Sequence, residues 1–288
     1  MFAATTNQIL QGVLLGGLYA MFAMGLSLSV GVLRFVNIAH GDLIVAASFL
    51  LLTLTTQLGL PPLLAVALTI PIAFGIGYCL QRLLFQKALG KTVLPIILVT
   101  FGLSIIIQNG LLGAYGADTR KVAGGAFETA TLALGDGVNI GVLPLVIFVT
   151  AVVMIWALDR LLYATRLGAR IRAVSDDVGT ADLVGLPSGR IYAIAMGIVG
   201  VTIAISAGFM SIWTNFDPTS GPSRLIIAFE AVVLGGLGSL WGTLAGGIVL
   251  GVAQSLGAQV DAAWQTLAGH LVFLAVFFVR PQGLFPRD

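Results

Sequence analysis

Long apolar segments are the feature of this sequence that most restricts its fold. Seven segments have roughly the 17–25 residues that cross a hydrocarbon core as a helix: Ile9–Leu33, Leu43–Leu60, Pro61–Gln81, Thr92–Leu112, Val138–Leu158, Ile191–Ile212 and Ala263–Val279. A further segment, Leu225–Gly257, is too long for one span and short for two. Backbone in lipid must satisfy its own hydrogen bonds. The sequence therefore predicts an all-α, polytopic transmembrane helical bundle of about eight spans (eight or nine).

Composition supports a membrane protein and excludes other classes. Of the 288 residues, 58% are hydrophobic and 9% are charged, whereas a soluble domain has about 25% charged residues. This excludes an ordinary soluble enzyme and a disordered chain, and a net charge of +2 without a basic block argues against nucleic-acid binding. The single cysteine, Cys79, excludes a disulfide framework. Because the first Lys or Arg is Arg34, the first apolar segment lacks the charge of a signal peptide and is expected to be retained.

Basic residues cluster in three segments, which the positive-inside rule places in the cytoplasm. They are Arg82, Lys87 and Lys91; Arg160, Arg166, Arg170, Arg172 and Arg190; and Arg280 and Arg287. The C-terminus is then cytoplasmic and the N-terminus outside, as expected for an inner (plasma) membrane protein. Loop 160–190 and the Leu33–Asp42 connection are cytoplasmic, and loops 113–137 and 213–224 are external. Residues 1–288 form a single transmembrane domain.

The number of crossings constrains Leu225–Gly257. Between loop 160–190 and the C-terminus the chain must cross an even number of times, so this segment starts and ends outside. It is either two short spans or a re-entrant hairpin, broken near Gly235-Gly236-Leu237-Gly238-Ser239, because glycine disfavours a continued helix. Breaks at membrane depth occur inside protein or beside a water-filled path.

Catalytic constellations are missing from the sequence. The two histidines, His40 and His270, are far apart, and no HExxH, GxSxG or CxxC occurs. Gly90-Lys91-Thr92 imitates the end of a P-loop, but Phe85 stands where that motif needs glycine. We expect no enzyme activity, metal site or cofactor in this chain, so any ATP that drives transport must be hydrolysed by a partner.

Glu230 is the ionisable residue that most needs an explanation, because a charge inside the membrane is costly. It lines a polar path or subunit contact, or else it lies near the outer interface, where it is solvated or paired with Arg224. His270 is expected to be a neutral, hydrogen-bonded packing residue.

The segment Asn37–Asp42 concentrates asparagine, histidine and aspartate between two apolar spans, with Gly41 allowing a sharp turn. These side chains suit a polar substrate, or they form a cytoplasmic turn with an aspartate cap on the next helix. Spacing alone leaves the two interpretations equal.

Loop 160–190 contains a candidate short helix. Ser175 is a possible N-cap, with Asp176 and Asp177 in the first turn. An apolar face follows, and Gly185 and Pro187 end the helix; the face consists of Val178, Ala181 and either Val184 or Leu183. Such a short helix needs a surface to dock on, which is either a cytoplasmic partner or lipid headgroups.

Glycines spaced by four predict close helix packing. They are Gly12 and Gly16 in the first span, Gly238, Gly242 and Gly246, and Gly247 and Gly251. At a subunit interface they could also shape a pore.

Several of these segments resemble the permease family of branched-chain amino acid ABC importers, the LivH type. The similarity lies in Val36-Asn37-Ile38-Ala39-His40-Gly41-Asp42, Thr165–Ala173 followed by Ala181–Gly185, Ala228–Ser239, and Arg280-Pro281-Gln282-Gly283-Leu284-Phe285. Ile38 replaces the family's usual aromatic residue and Asp42 its commoner glutamate, which leaves the substrate open. Sister families import urea, short amides or other amino acids.

The resemblance implies a division of labour. A second homologous permease, identical or not, completes the pore; two cytoplasmic ABC ATPases bind ATP and Mg²⁺; and an extracytoplasmic binding protein delivers the solute. ATPase coupling is expected from Arg170, Arg172, Asp176, Asp177, Ala181, Asp182 and Gly185. The translocation path is expected to border Asn37, His40, Gly41, Asp42, Glu230, Gly235, Gly236, Gly238 and Ser239. Two other classes remain: a stand-alone channel or secondary carrier, and an intramembrane enzyme or lipid-binding scaffold.

Overall fold

The structure is a computed structural model that describes residues 2–89, 92–133 and 139–285. Its helices are α1 (Phe2–Leu28), α2 (His40–Thr56), α3 (Pro62–Leu80), α4 (Gln86–Ala88), α5 (Leu94–Tyr115), α6 (Ala126–Thr129), α7 (Val142–Ala164), α8 (Arg166–Asp176), α9 (Val178–Leu183), α10 (Ser188–Trp213), α11 (Gly221–Gly235), α12 (Leu240–Val260) and α13 (Trp264–Val279). π-Helical turns, Ser29–Leu33 and Gln81–Phe85, extend α1 and α3. Strands β1 (Thr131–Ala133) and β2 (Asn139–Gly141) pair antiparallel.

Six of the described helical segments are long and apolar enough to cross a membrane. They are Thr5–Leu33, Pro62–Ala88, Leu94–Tyr115, Val142–Ala164, Ser188–Trp213 and Leu240–Val260. The shorter helices α2, α11 and α13 pack among them. This confirms the predicted all-α, polytopic bundle. The segment Leu225–Gly257 was predicted to form a pair of helices, and it does. Helices α11 and α12 are separate and are joined by a turn at Gly236–Ser239.

Several chain segments meet at one end of the bundle, which we call the basic end. There Gly31 lies against Gly238, and Gly283 lies against Gly236. Ser175 Oγ of α8 donates a hydrogen bond to Gly31 O over 3.4 Å. Gln86, after α3, lies beside Gly189 at the start of α10. The described arginine-rich segments therefore gather on one side of the bundle; Lys91 and Arg287 lie outside the described residues.

The first broken element follows α1. The chain reverses at Arg34, the one described non-glycine residue with a positive φ, at 57°. It then returns along α1 as the irregular segment Arg34–Ala39 before α2 begins at His40. The Nε2 of His40 donates to Phe22 O over 2.9 Å. Because Phe22 lies well inside α1, α2 starts within the bundle rather than at its end.

This position corrects the prediction of a cytoplasmic Leu33–Asp42 connection. Only its beginning, at Arg34, lies at the basic end, and its last residues are inside. Gly41 is also not the turn, since it is helical. Hydropathy located the apolar residues of α2. It could not show that the polar residues before α2 are buried, because their burial depends on the hydrogen bond from His40 to α1.

The second broken element repeats the first in the opposite direction. α10 ends at Trp213 on the side away from the basic end, and residues 214–220 return into the bundle. α11 then begins at Gly221, against Gly41, and runs to the basic end. The predicted external loop 213–224 is therefore only partly a loop.

The helix contacts have the same inverted symmetry. α1 packs on α12 as α10 packs on α3, and α5 contacts α2 as α13 contacts α11. Inverted repeats with broken helices that meet near the midplane occur in many membrane transporters. The internal symmetry was not expected from the sequence.

Glycines allow these close helix contacts. A Cβ on Gly12 would lie 2.6 Å from Val252 Cα, and one on Gly16 would lie 2.5 Å from Ile248 Cα. A Cβ on Gly251 would overlap Gly12 O, so α1 and α12 touch through their backbones. Gly242 and Gly246 lie in the same way against Gly235 and Ala231 of α11.

Candidate functional site at the crossing of two broken helices

The N-termini of α2 and α11 meet in the interior of the bundle. A Cβ on Gly41 would overlap Gly221 O, and one on Gly221 would overlap Asp42 Oδ1. Each helix N-terminus carries about half a positive charge on its free N–H groups. The contact, which we call the crossing, therefore brings two positive helix ends together in a low-dielectric place.

Asp42 supplies negative charge at the crossing. Its side chain is 1% exposed, and Oδ2 accepts a 2.6 Å hydrogen bond from Ser104 Oγ on α5. Gln108 Nε2 donates in turn to Ser104 Oγ over 3.0 Å. Oδ1 lies against Gly221 and has no hydrogen-bond partner among the described residues. The carboxylate is thus favoured by both helix ends and is held from α5.

Asn37 and His40 are fully buried and hold the irregular segment in place. Asn37 Oδ1 accepts a 3.1 Å hydrogen bond from the Ala39 N–H, and His40 binds Phe22 O. They are bound to backbone groups in this conformation. The alternative of a cytoplasmic turn capped by Asp42 is wrong, because Asp42 lies inside the bundle.

Exposed polar residues flank the second broken element. Thr219, Ser223 and Asn215 are exposed, although Gly221 between them lies at the depth of the crossing. Irregular backbone at membrane depth is tolerated only beside protein or water. This side of α11 must therefore face a polar path or another subunit rather than lipid.

Glu230 is held by His270. Its side chain is 6% exposed, and Oε1 lies 2.5 Å from His270 Nδ1 on α13. Arg224 instead donates to Asn215 O over 3.1 Å. The alternative of a Glu230–Arg224 pair is wrong, because Arg224 lies six residues earlier on the same helix and turns back towards residues 214–220. His270 is hydrogen-bonded, as predicted.

A second polar contact lies next to this pair. Tyr19 OH on α1 donates to Gln254 Oε1 on α12 over 2.5 Å, and Gln254 packs against Gly269, beside His270. Tyr19 and Gln254 were not predicted from the sequence, and neither were Ser104 and Gln108. The signal for the last two was available, since Thr100, Ser104 and Gln108 recur at every fourth position of an apolar span.

The glycine turn after α11 lies at the basic end. Gly236 and Gly238 have φ values of 104° and 79°, and Ser239 caps α12 by accepting from the Gly242 N–H. The C-terminal segment closes this turn: the N–H groups of Leu284 and Phe285 donate to Leu234 O and Gly235 O over 2.8 and 3.1 Å. The Arg280–Phe285 motif is thus the cap of α11.

Loop 160–190 forms two helices rather than one. Ser175 belongs to α8, so the predicted Ser175 N-cap is wrong and Asp176 is the last residue of α8. Asp177 caps α9 by accepting a 3.1 Å hydrogen bond from the Thr180 N–H. The hydroxyl and N–H of Thr180 hold the pKa of Asp177 below its usual value.

The end of α9 matches the prediction. Gly185 has a φ of 83°, its N–H donates to Asp182 O, and the Leu186 N–H donates to Ala181 O, as in a Schellman motif. The Asp182 carboxylate accepts from Ser188 N and Oγ, both at 3.1 Å, which ties α9 to α10. The position of α9 is therefore coupled to that of a membrane helix.

The apolar residues of α9 point in two directions. Ala181 is buried against the bundle, whereas Leu183 and Val184 are 88% and 70% exposed. Arg170 is exposed, and the Arg172 guanidinium stacks on the Tyr163 ring at 4.8 Å. An exposed apolar pair among arginines is suited to contact another protein.

Residues 8–279 match the family described as the permease component of the branched-chain amino acid transport system. The chain belongs to this permease family. It is 30% identical to the high-affinity branched-chain amino acid transport permease BraD of Pseudomonas aeruginosa, over 98% of this chain and 95% of that one. It is 27% identical to LivH of Escherichia coli over the same shares. The fructose import permease FrcC of Rhizobium meliloti is also 27% identical, over 95% of this chain and 77% of its own.

The described residues include no candidate metal-binding site, because they contain no group of three or more His, Cys, Asp or Glu side chains that could hold a metal ion. The polar contacts described above are hydrogen bonds that fix helices.

Proposed function

We propose that this permease is the membrane subunit of an ABC importer that moves branched-chain or related amino acids across the inner membrane. The crossing of two inverted broken helices, in a chain of the branched-chain amino acid permease family, carries the proposal. ATP and Mg²⁺ are bound by two partner ATPases, and this chain contributes neither catalysis nor a cofactor site.

The path runs along the crossing, which must open during transport, because Asp42 is 1% exposed in this closed conformation. Two helix N-termini favour a substrate carboxylate, and the Asp42 carboxylate favours an ammonium group. The exposed polar residues beside Gly221 provide a polar route for the solute, separate from the lipid. Asn37, His40 and Gly41 on one broken element, and Glu230, Gly235, Gly236, Gly238 and Ser239 on the other, move with the helices that border it.

An apolar cavity supports an aliphatic amino acid as the substrate. Its volume is about 420 Å³, and its wall includes Leu43, next to Asp42, and Leu103, next to Ser104. A zwitterionic head at the crossing would place the aliphatic side chain near α2 and α5, which form part of this wall. Favourable transfer of that side chain from water supports its binding.

The basic end is proposed to face the cytoplasm, with the N-terminus outside, because arginine is retained on that side. The ATPases then dock on α8 and α9 through Leu183 and Val184, and their motion reaches α10 through Asp182 and Ser188. A second, homologous permease covers the exposed sides of α5 and α11. A binding protein delivers the solute to the opposite end.

Leu183→Asp tests the docking surface, with Leu132→Asp as the matched control. Leu132 is also an exposed leucine, 48% exposed, but lies in β1 at the other end of the bundle. We expect Leu183→Asp to reduce ATPase co-purification about tenfold, which is a typical loss at an interface hot spot, and Leu132→Asp to leave it unchanged. Normal co-purification of Leu183→Asp would remove this surface from the proposal.

Gly185→Trp is a second variant of the same loop. It forces a bulky side chain onto a φ of 83°, a strained conformation, and should uncouple ATP hydrolysis from uptake. Normal uptake by the well-folded variant contradicts a coupling role for the end of α9.

Reconstitution tests the whole function. Proteoliposomes that contain the permease, its partner ATPases and the binding protein should take up leucine only when ATP is present. Flux through the purified chain without nucleotide would instead support a channel or secondary carrier. ATP-dependent uptake of urea, a short amide, a sugar or another amino acid, but not of leucine, would keep the importer and change its substrate.

A further inference from the structure

A polar cavity at the basic end is not explained by transport along the crossing. Its volume is about 270 Å³, and it lies among the end of α1, the end of α7, α8 and the glycine turn. Its polar wall consists of Ser27, Arg34, Arg172, Ser175 and Asp176, and Leu162, Leu237 and Leu240 supply much of the apolar wall.

Two donors in this wall have no partner in the described part of the chain. Ser27 is 1% exposed, and its hydroxyl makes no hydrogen bond there. Ser48 and Ser206, also buried in helices, donate to the carbonyl one turn earlier. Arg172 Nη1 is likewise buried without an acceptor. A buried donor without an acceptor is unfavourable, which indicates that an acceptor belongs here.

The charge of the wall is net positive. Arg34 and Arg172 face it with a single carboxylate, Asp176, which is mostly exposed and 3.7 Å from Arg34. Arg172 is oriented by stacking on Tyr163. Two guanidinium groups and a hydroxyl donor match a phosphate, whose oxygens accept several charge-assisted hydrogen bonds at once.

The surroundings of the cavity point to a lipid as the source of the phosphate. Tyr163, Trp156 and Trp241 are 41%, 53% and 47% exposed around this end of α7 and α12, as aromatic residues are at a membrane surface. Arg160 stacks on Trp156 at 5.7 Å. Basic pockets between membrane helices at this level bind anionic headgroups.

We propose that this cavity binds the phosphate of an anionic phospholipid. Ser27, Arg34 and Arg172 hold the headgroup, and Leu237, which is 54% exposed, borders it on the lipid side. The bound lipid joins α8 to the ends of α1 and α11, next to the contact of Ser175 with Gly31 O. The site does not depend on the identity of the transported solute.

Lipid retention by the purified full-length chain tests this site. The chain is incubated with equal amounts of phosphatidylglycerol and phosphatidylcholine, and bound lipid is counted by native mass spectrometry. We expect a preference for phosphatidylglycerol that falls about fivefold in Arg172→Gln. Arg170→Gln removes the same charge from the exposed side of α8 and should keep the preference.

Ser27→Ala is the second variant, because it removes one donor with little change in volume. It should also weaken the preference. Equal losses in Arg170→Gln and Arg172→Gln would show attraction to surface charge and overturn the site, as would a wild-type chain without preference. A third outcome is that millimolar inorganic phosphate displaces phosphatidylglycerol and raises the thermal stability of the chain as much as the lipid does. That result would assign the site to a free anion and contradict the proposal of a lipid.

Discussion

The crossing and the basic end use charge in opposite ways. At the crossing, two backbones touch at Gly41 and Gly221, and Asp42 is sealed against Ser104. At the basic end, Arg34 and Asp176 pair while 63% and 80% exposed, and α9 projects Leu183 outwards. Helix α11 connects the two regions, since it begins at Gly221 in the crossing and ends at the glycine turn.

The difference concerns what each region tolerates. A buried, glycine-packed contact leaves no room for another atom and no water to replace a lost partner. An exposed charged surface is solvated, so single ion pairs there contribute about 0–1 kcal/mol. Substitutions at the crossing should therefore affect folding, whereas those at the basic end should affect partner binding.

Gly41→Val should have the largest effect, because its side chain would overlap Gly221 O and Leu225 N. We expect the free energy of unfolding to fall by about 3 kcal/mol and uptake to be lost. Thermal unfolding of the purified chain measures the first effect. Gly102→Val is the control, since no atom lies within 4 Å of a Cβ there; equal losses in both variants would mean that the crossing is not special.

His270→Leu should come next, since it leaves the Glu230 carboxyl without its partner in the membrane. The loss should be about 2–3 kcal/mol. Glu230→Leu combined with His270→Leu should recover most of the thermal stability, because no unpaired polar group remains. If the double variant loses as much unfolding free energy as the two single variants together, Glu230 and His270 do not stabilise each other.

Ser104→Ala should cost about 1–2 kcal/mol, because Asp42 Oδ2 loses its donor. Thr100→Ala, one turn earlier, is the matched control, since that hydroxyl binds only carbonyls of its own helix. The same thermal assay compares them. A larger effect at Thr100 would contradict the assignment of α5 as the helix that holds Asp42.

Acidification should have the smallest effect, and it concerns the basic end. The pKa of Asp177 is lowered by Thr180, so its contribution to α9 is complete above the ordinary value of about 3.9 and is lost as pH falls through the lowered value. Hydrogen exchange at the Thr180 amide should be equally protected, after correction for intrinsic rates, from pH 8 to 5. Loss of protection near pH 6 would show that another group holds α9.

Local patterns predicted some of the local structure correctly. Gly185 ends α9 because the residue after a helix often needs a positive φ, and the glycine turn separates α11 from α12 for the same reason. His270 was expected to be hydrogen-bonded, and it is. The cap of α9 was placed two residues too early, since Ser175, Asp176 and Asp177 are all acceptable cap residues and only Asp177 has the required extended backbone.

The partners of buried polar residues could not be predicted in this way. Ser104 is 62 residues from Asp42, and His270 is 40 residues from Glu230, so no local pattern relates them. The depth of His40 also depends on one long-range hydrogen bond to Phe22 O.

The sequence alone predicted that this chain is an all-α membrane bundle with most of its basic residues on one side, because hydropathy and charge act residue by residue in lipid. It also contained the motifs of the permease family. Only the tertiary structure decided that α2 and α11 begin inside the bundle and meet through Gly41 and Gly221. That contact arises because α2 and α11, which are far apart in sequence, have surfaces that fit together. The local sequence of either helix does not reveal which distant surface it will contact.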